Sequence, residues 1–390
     1  MTVCDLTHAY HETSGGIRTY MDAKRRYVLD HTAHRHVTVV PGPEDAVLHD
    51  GRATVVQIAG PVMPKAAPYR WLKDPRKVAR ALREQAPDLV EVQTLYMPTE
   101  WGPAFAYRAR HRRRVAVSMM VHTDFAGSYA TDYGGALFGA WAGPTIGRLA
   151  GVYVGTVLRA SDLRLVPSPF QAERLVGHGL PLHVIPPGVD TETFTPDAAD
   201  PAVRDELGVP AGATLAVYVG RLDSEKRTET MAEAAALAHA RSPTVLAMVG
   251  DGPHRDVLEA RQRAGAPLRV VPFVSDRSAL ARLLASSDVY LTAGPYETFG
   301  IAVIEAQACG LPVVGVRAGA LTERVPPETG LLGPVDDARC MADHLLRAAA
   351  ARDTMGPAAR RHAVEGFSWR ASFDRLFGLY AAALAARTEL

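Results

Sequence analysis

Two glutamates eight residues apart, Glu297 and Glu305, stand in the run Pro295-Tyr-Glu-Thr-Phe-Gly-Ile-Ala-Val-Ile-Glu-Ala-Gln-Ala-Cys-Gly310. The stretch before it, Asp288 to Ala293, is apolar and β-prone, so it reads as a buried strand. The stretch after Gly300 is a helix former closed by Gly310, with Pro312 just beyond. Glu297 is therefore expected in the loop at the strand's carboxyl end, and Glu305 one turn into the following helix. That edge of an open α/β sheet is where ligands bind. The helix start near Ile301 offers backbone N–H groups and a positive dipole end to an anion such as a phosphate. Ionised carboxylates only accept hydrogen bonds, which suits recognition of sugar hydroxyls.

A second cluster, Tyr218-Val-Gly-Arg-Leu-Asp-Ser-Glu-Lys226, puts two cations after another apolar run. Gly220 permits close backbone approach, and Arg221 and Lys226 together can neutralise a diphosphate. A third, Thr13-Ser-Gly-Gly-Ile-Arg18, opens an apolar-periodic helix, so the N–H groups around Gly15 and Gly16 can reach a phosphate. A fourth, Met119-Met-Val-His122-Thr-Asp-Phe125, ends a strand on a histidine. The turn Gly250-Asp-Gly252 lacks the third glycine and downstream acid of a dinucleotide fingerprint.

Glu297 and Glu305 resemble the E-x7-E signature of retaining, nucleotide-sugar-dependent glycosyltransferases of the GT-B fold. Gly220-Arg221-Leu222 with Lys226, the glycine pair and His122 match further motifs of that family; Arg227 stands where it more often has Gly or Asn. His122-Thr-Asp-Phe, Asp132-Tyr-Gly and Val184-Ile-Pro-Pro-Gly-Val-Asp190 are similar to one branch in particular, the bacterial GDP-mannose-dependent α-mannosyltransferase-like enzymes. The likeness runs over nearly the whole chain and is weakest between Pro41 and Pro87. It implies transfer of a hexosyl group, from GDP-mannose or a UDP-hexose, to a hydroxyl on a lipid, glycan or small molecule. Arg221 and Lys226 would stabilise the leaving diphosphate, helped by N–H groups at Gly16 and after Gly300. Glu305 would bind the ribose. Glu297, with the backbone of Phe299 and Gly300, would hold the transferred sugar, and His122 would face it. Phe273 and Val274 would meet the base. No cofactor beyond the sugar nucleotide and no catalytic metal is implied.

The elements that must position these residues come in two similar sets. Strand-like runs recur at His36–Val40, Thr54–Ala59, Leu89–Val92, Val115–Val121 and Leu163–Val166, with a helix at Pro75–Gln85. They recur again at Leu215–Val219, Val245–Val249, Leu268–Phe273, Val289–Thr292 and Pro312–Val316. Alternation with Ala/Arg/Leu-rich helices predicts an α/β protein with a parallel sheet in each half. A chain of 390 residues exceeds the size of one core, so two Rossmann-like domains are expected. They are an acceptor-side domain over 1–186 and a nucleotide-sugar domain over 187–367, facing across a cleft. The family likeness has the helix in 368–390 return to the first domain. The Thr/Asp/Pro-rich segment up to Pro210 reads as linker.

Composition excludes several classes. A net charge of +1 argues against a nucleic-acid partner, and 47% hydrophobic residues support a globular chain. Three scattered cysteines fit a reducing compartment, and an acidic, polar N-terminus shows no signal peptide, so a cytoplasmic location is expected. The first half is net basic, through Lys24-Arg-Arg26, Arg76-Lys77 and Arg112-Arg-Arg114. That excess fits a solvated face, or a first domain peripheral at an anionic membrane surface. The apolar stretch Leu137–Val157 fits a buried helix pair or a membrane-facing or acceptor-binding element. Two rivals to transfer remain at this level: a nucleotide-sugar epimerase of the same architecture, and a non-catalytic sugar-nucleotide-binding protein. The second would be expected to lose Glu297, Arg221 or Lys226.

Overall fold

A computed structural model describes residues 1–11, 15–63, 69–95, 97–111, 114–122, 143–175, 177 and 179–388. The chain forms two compact units, one of Met1–Pro186 with Arg370–Leu390 and one of Pro187–Trp369. The first is built on an eight-stranded sheet: β1 (Thr2–Leu6), β2 (Arg35–Gly42), β3 (Ala46–Asp50), β4 (Ala53–Ala59), β5 (Leu89–Val92), β6 (Ala116–Met120), β7 (Leu163–Val166) and β8 (His183–Val184). Their order is β3-β4-β2-β1-β5-β6-β7-β8, with every pairing parallel except β3 with β4. The inner strands are buried on both faces, which is why they read as near-continuous apolar runs.

The second unit carries a six-stranded parallel sheet of β9 (Thr214–Val219), β10 (Thr244–Val249), β11 (Leu268–Val271), β12 (Val289–Leu291), β13 (Val313–Val316) and β14 (Gly330–Gly333). Its order, β11-β10-β9-β12-β13-β14, is the doubly wound one. The direction of winding reverses between β9 and β12, and in the first sheet between β1 and β5. Loops leaving those four strands line the two places where such sheets bind ligands.

Local signals explain most of the elements. Asp74 caps the helix Pro75–Gln85 by accepting from the N–H groups of Arg76 and Lys77, and Ala86 closes it in the left-handed region. The hairpin β3–β4 was not expected, because Val47 and Leu48 lie exposed at a sheet edge rather than in the core. Its signal was the Asp50-Gly51 pair, a hairpin turn sequence in which Gly51 takes φ 55°.

Two expectations are corrected. The segment from Asp190 to Pro210 is part of the second core rather than a linker. Phe194, Val203 and Val209 are buried in it, and Arg360 holds the carbonyls of Thr191 and Phe194 at 3.0 and 2.6 Å. Its Thr/Asp/Pro composition serves caps instead: the Asp190 carboxylate accepts from the N–H groups of Glu192 and Thr193. Lys24 is also no part of a basic surface. Its side chain is 0% exposed, with Nζ 2.8 Å from Asp5 and 2.6 Å from Glu91. Among the other basic residues singled out, Arg112 and Arg113 lie outside the described residues.

Helix Trp369–Thr388 belongs from Arg370 onward with the first unit. Phe373 and Phe377 pack on the ring of Tyr27, and the Tyr380 hydroxyl donates to Glu91 Oε2 at 2.6 Å. Helix Gly143–Ala160 covers the described part of the apolar stretch read at 137–157, with Val154, Val157 and Leu158 buried. No helix among the described residues is long and apolar enough to cross a membrane.

The buried ammonium generates a stability expectation. Lys24→Met leaves Asp5 and Glu91 facing each other without a counter-charge and should destabilise the first unit by about 3–5 kcal/mol. Tyr380→Phe removes one buried hydrogen bond and should cost about 1–3 kcal/mol. Denaturant titration followed by amide exchange of the first sheet measures both, and equal effects would contradict the ranking.

Candidate functional site

In the second unit the residues singled out by spacing converge on the β9–β12 reversal point. Gly220 donates its N–H to Val249 and Leu222 to Asp251, which seats the loop after β9 against the Gly250-Asp-Gly252 turn. A side chain on Gly220 would run into the Tyr218 hydroxyl, which itself donates to the Arg221 carbonyl at 2.9 Å. Lys226, fixed through its N–H to Asp223, reaches across to the loop after β12, where Nζ lies 3.0 Å from Glu297 Oε2. Arg221 is half-exposed and bridges Asp223 at 2.7 Å and Glu225 at 2.6 Å. The two cations expected at a diphosphate are thus present at one edge, each already held by carboxylates.

The Glu297 loop is shaped by glycine. Gly300 takes φ +85°, turning the chain into helix Ile301–Ala308. Gly319 takes φ +60° and packs so closely that a side chain would approach the Glu297 and Pro295 carbonyls to 2.7 and 2.8 Å. Burial opposes ionisation of Glu297, but the Lys226 ammonium and the N–H groups of Phe299 and Gly300 outweigh it, and its pKa falls below the ordinary value. Desolvation likewise opposes the charge on Lys226, yet Glu297 and Glu225 raise its pKa overall. This pair is ionised across the neutral range.

Glu305 lies in the helix, nearly buried, beneath Arg277, whose guanidinium pairs with it. Desolvation raises its pKa, and Arg277 only partly opposes the shift. Arg277 was missed by sequence reasoning. The available signal was a cation following Asp276, which caps helix Arg277–Ala285 in the loop after β11. The same guanidinium sits 4.6 Å from the Phe194 ring centroid. Phe273 and Val274 lie on that loop beyond the end of β11, which stops at Val271 rather than Phe273. Phe273 is exposed, and Val274 packs partly against the core. Phe299 is buried under Arg324, so only its backbone serves the site.

The remaining residues sit on the first unit, also at the carboxyl edge of its sheet. Gly15 and Gly16 are exposed at the start of helix Gly16–His31, while Thr13 and Ser14 lie outside the described residues. So do Asp124, Phe125 and Asp132. His122 follows β6, with Nε2 2.7 Å from Gln93 Oε1. Gln93 is itself fixed, because its amide nitrogen donates to Asp5 and Glu91 at 2.8 and 2.9 Å. Its oxygen must therefore accept, so His122 carries its proton on Nε2 and Nδ1 is the acceptor nitrogen. Desolvation, reinforced by the Lys24 charge, depresses the His122 pKa to about 3. A neutral imidazole of this tautomer can receive a hydrogen bond from a hydroxyl.

A pH dependence follows. Below its unfolded pKa near 6.5, His122 takes up a proton in the unfolded chain but not in the folded one. Its contribution is complete above that value and is lost as pH falls toward 3. His122→Asn should flatten the acid-side decline of stability between about pH 6.5 and 3, measured by denaturation at stepped pH. An unchanged slope would mean that the imidazole is not held neutral.

Comparison with known proteins gives the family and the fold. Residues 14–193 match the family described as Glycosyltransferase Family 4, and residues 213–351 match Glycosyl transferases group 1. The chain is 33% identical to a GDP-mannose-dependent alpha-(1-6)-phosphatidylinositol dimannoside mannosyltransferase of Mycobacterium tuberculosis, over 99% of this chain and 98% of the relative. It is 32% identical to a GDP-mannose-dependent alpha-mannosyltransferase of the same species, over 93% and 92%. The sucrose-phosphate synthase of Thermosynechococcus elongatus superposes with a TM-score of 0.77 at 22% identity, covering 99% of both chains.

Proposed function

The chain belongs to the group 1, family 4 glycosyltransferases of GT-B fold, and from that premise we propose that it moves a mannosyl group from GDP-mannose to a hydroxyl, retaining anomeric configuration. Glycosyl transfer is the activity of the family; the epimerase alternative finds no support in the comparisons. The choice of donor draws on the two relatives that match over nearly their whole length. The observation that carries the reading is the Lys226–Glu297 ion pair at the β9–β12 reversal point, with Glu305 and Arg277 alongside.

The proposed chemistry uses that pair as a latch. An incoming diphosphate offers Lys226 and Arg221 stronger partners than single carboxylates, and Arg221 can bind it in a fork. Drawing Lys226 away releases the Glu297 carboxylate, which then accepts from hydroxyls of the transferred sugar. As the bond from C1 to the diphosphate oxygen breaks, charge builds on the leaving group, where the two cations and the N–H groups at the start of helix Ile301–Ala308 lower its energy. Glu305, held by Arg277, receives the ribose hydroxyls, and Phe273 with Val274 meets the base. His122 accepts from a sugar hydroxyl. Cationic side chains take the place of a metal, and the acceptor binds on the first unit, whose basic residues suit an anionic or membrane-borne acceptor.

Arg221→Ala or Lys226→Ala should lower turnover of GDP-mannose by roughly 10²–10³ with the fold intact, the scale for removing a transition-state charge stabiliser. Near-wild-type turnover by the folded double variant would refute the clamp. Running UDP-glucose in parallel tests the donor, and turnover persisting after EDTA treatment tests the metal-free leaving-group chemistry.

The two glutamates should separate in calorimetry. Glu305→Gln should weaken GDP and GDP-mannose alike, by about 1–3 kcal/mol for a lost buried partner. Glu297→Gln should weaken the intact donor and spare free GDP. A loss of GDP affinity in Glu297→Gln equal to its loss of donor affinity would place that carboxylate away from the sugar.

A further inference from the structure

The Glu297 loop is held from beneath by a cation that the donor reading does not use. Arg324 ends the short helix Leu321–Arg324 and is 5% exposed. Its Cζ lies 4.4 Å from the centroid of the Phe299 ring and 5.0 Å from that of Phe367, and those two rings meet edge to face at 5.8 Å. The neighbouring Glu323 carboxylate stands 3.6 Å from Nη2, beyond hydrogen-bond length. Among the described residues, Nε and Nη2 find no hydrogen-bond acceptor. Desolvation lowers the Arg324 pKa to about 10, which leaves the group charged at neutral pH.

An interior cation with two idle donors weakens a fold that an apolar side chain of the same bulk would strengthen. What the guanidinium supplies is attraction to two aromatic rings, which grows once all the partners are out of water. Phe299 is the residue whose N–H, with that of Gly300, lowers the Glu297 pKa. The same short segment also reaches Glu297 directly: the Ala320 N–H donates to the Glu297 carbonyl at 2.7 Å, and the Arg324 N–H donates to the Ala320 carbonyl at 3.0 Å. The Gln307 amide donates to the Arg324 carbonyl at 2.8 Å, which ties the segment to helix Ile301–Ala308. Residues 320–324 thus clamp the loop at the Glu297 carbonyl and at the Phe299 ring. In the chemistry proposed above, Lys226 leaves Glu297 when the diphosphate arrives. The two N–H groups are then what holds the carboxylate toward the sugar.

We infer that Arg324 is a positioning residue for transfer: its guanidinium, set against the Phe299 and Phe367 rings, fixes the Phe299 and Gly300 N–H groups that orient Glu297. The inference rests on the glycosyl-transfer reading above. Arg324 acts through Glu297, so its loss should change turnover and the titration of that carboxylate while sparing the fold and the nucleotide contacts.

Three measurements on the full-length chain test this. Arg324→Met keeps bulk between the rings and removes the charge, so its Tm should equal or exceed that of the wild type. In protein carrying carbon-13 glutamate, the Glu297 signal is identified by its loss in Glu297→Gln. Its pKa should lie below the ordinary carboxylate value in the wild type and rise in Arg324→Met. Arg324→Lys, which keeps a cation between the rings, should hold it low. With GDP-mannose as donor and octyl α-D-mannopyranoside as acceptor probe, Arg324→Met should lower kcat by about 10- to 10²-fold, the scale for a small misplacement of a catalytic group. GDP affinity should hold, and Arg324→Met added to Glu297→Gln should lower kcat no further. An unmoved Glu297 pKa, an Arg324→Lys protein that behaves like Arg324→Met, or a lower Tm in Arg324→Met would each overturn the inference. So would unchanged kcat, a parallel loss of GDP affinity, or losses that add to those of Glu297→Gln. A wild type that binds GDP but transfers nothing counts against the transfer reading instead, and the Glu297 titration then decides the role of Arg324.

Discussion

The first unit is organised around one ammonium group with no access to water. Lys24 Nζ sits between Asp5 on β1 and Glu91 on β5, 3.1 Å from the Tyr380 hydroxyl and 4.6 Å from the centroid of the Tyr20 ring. Removing a charge from water costs several kcal/mol unless nearly every donor and acceptor around it is used. Here the surrounding groups are used heavily: His36 meets the second oxygen of Asp5, Ser118 and Tyr380 meet the second oxygen of Glu91, and Gln93 spans both acids. The network ties together the two strands at the reversal point, helix Gly16–His31 and the C-terminal helix.

Its influence reaches the functional edge through a single amide. Because Gln93 gives both N–H groups to the buried acids, its oxygen is committed to His122, and that choice sets which nitrogen of the imidazole bears the proton. The second unit applies the same principle with weaker burial. Lys226 and Glu297 hold each other at the reversal point, and Arg277 covers Glu305, so each charge keeps a partner when no anion is bound. Partly exposed ion pairs such as Lys226–Glu297 contribute little net stability by themselves.

Legibility in the sequence followed periodicity and turn chemistry. Strands β5 and β7 and the Asp-Pro-capped helix Pro75–Gln85 have the bounds that their residue patterns indicate. β3 was not singled out because its apolar run Ala46-Val47-Leu48 is short and lies exposed at a sheet edge, and the segment after Asp190 misled because caps and linkers share Asp, Thr and Pro. Among the candidate site residues, Arg221, Lys226, Glu297 and Glu305 could be singled out from spacing and glycine punctuation. Arg277 could not, because its partner lies 28 positions away in the chain.

Sequence alone determined the alternation of strands and helices, and hence two parallel sheets, together with the glycines that bend the loops at Gly220 and Gly300. Those properties are local: periodicity and backbone freedom act over a few residues. The family likeness rested on the same motifs and named the residues to watch. Tertiary structure decided which charges became interior and what each one touches. Lys24 looked like one of three adjacent surface cations until the sheet placed two acids from distant strands around it. The protonation pattern of His122 was settled in the same way, by an amide whose own orientation depends on those acids. A charge's environment is a sum over neighbours in space, and the neighbours that matter most here are far apart along the chain.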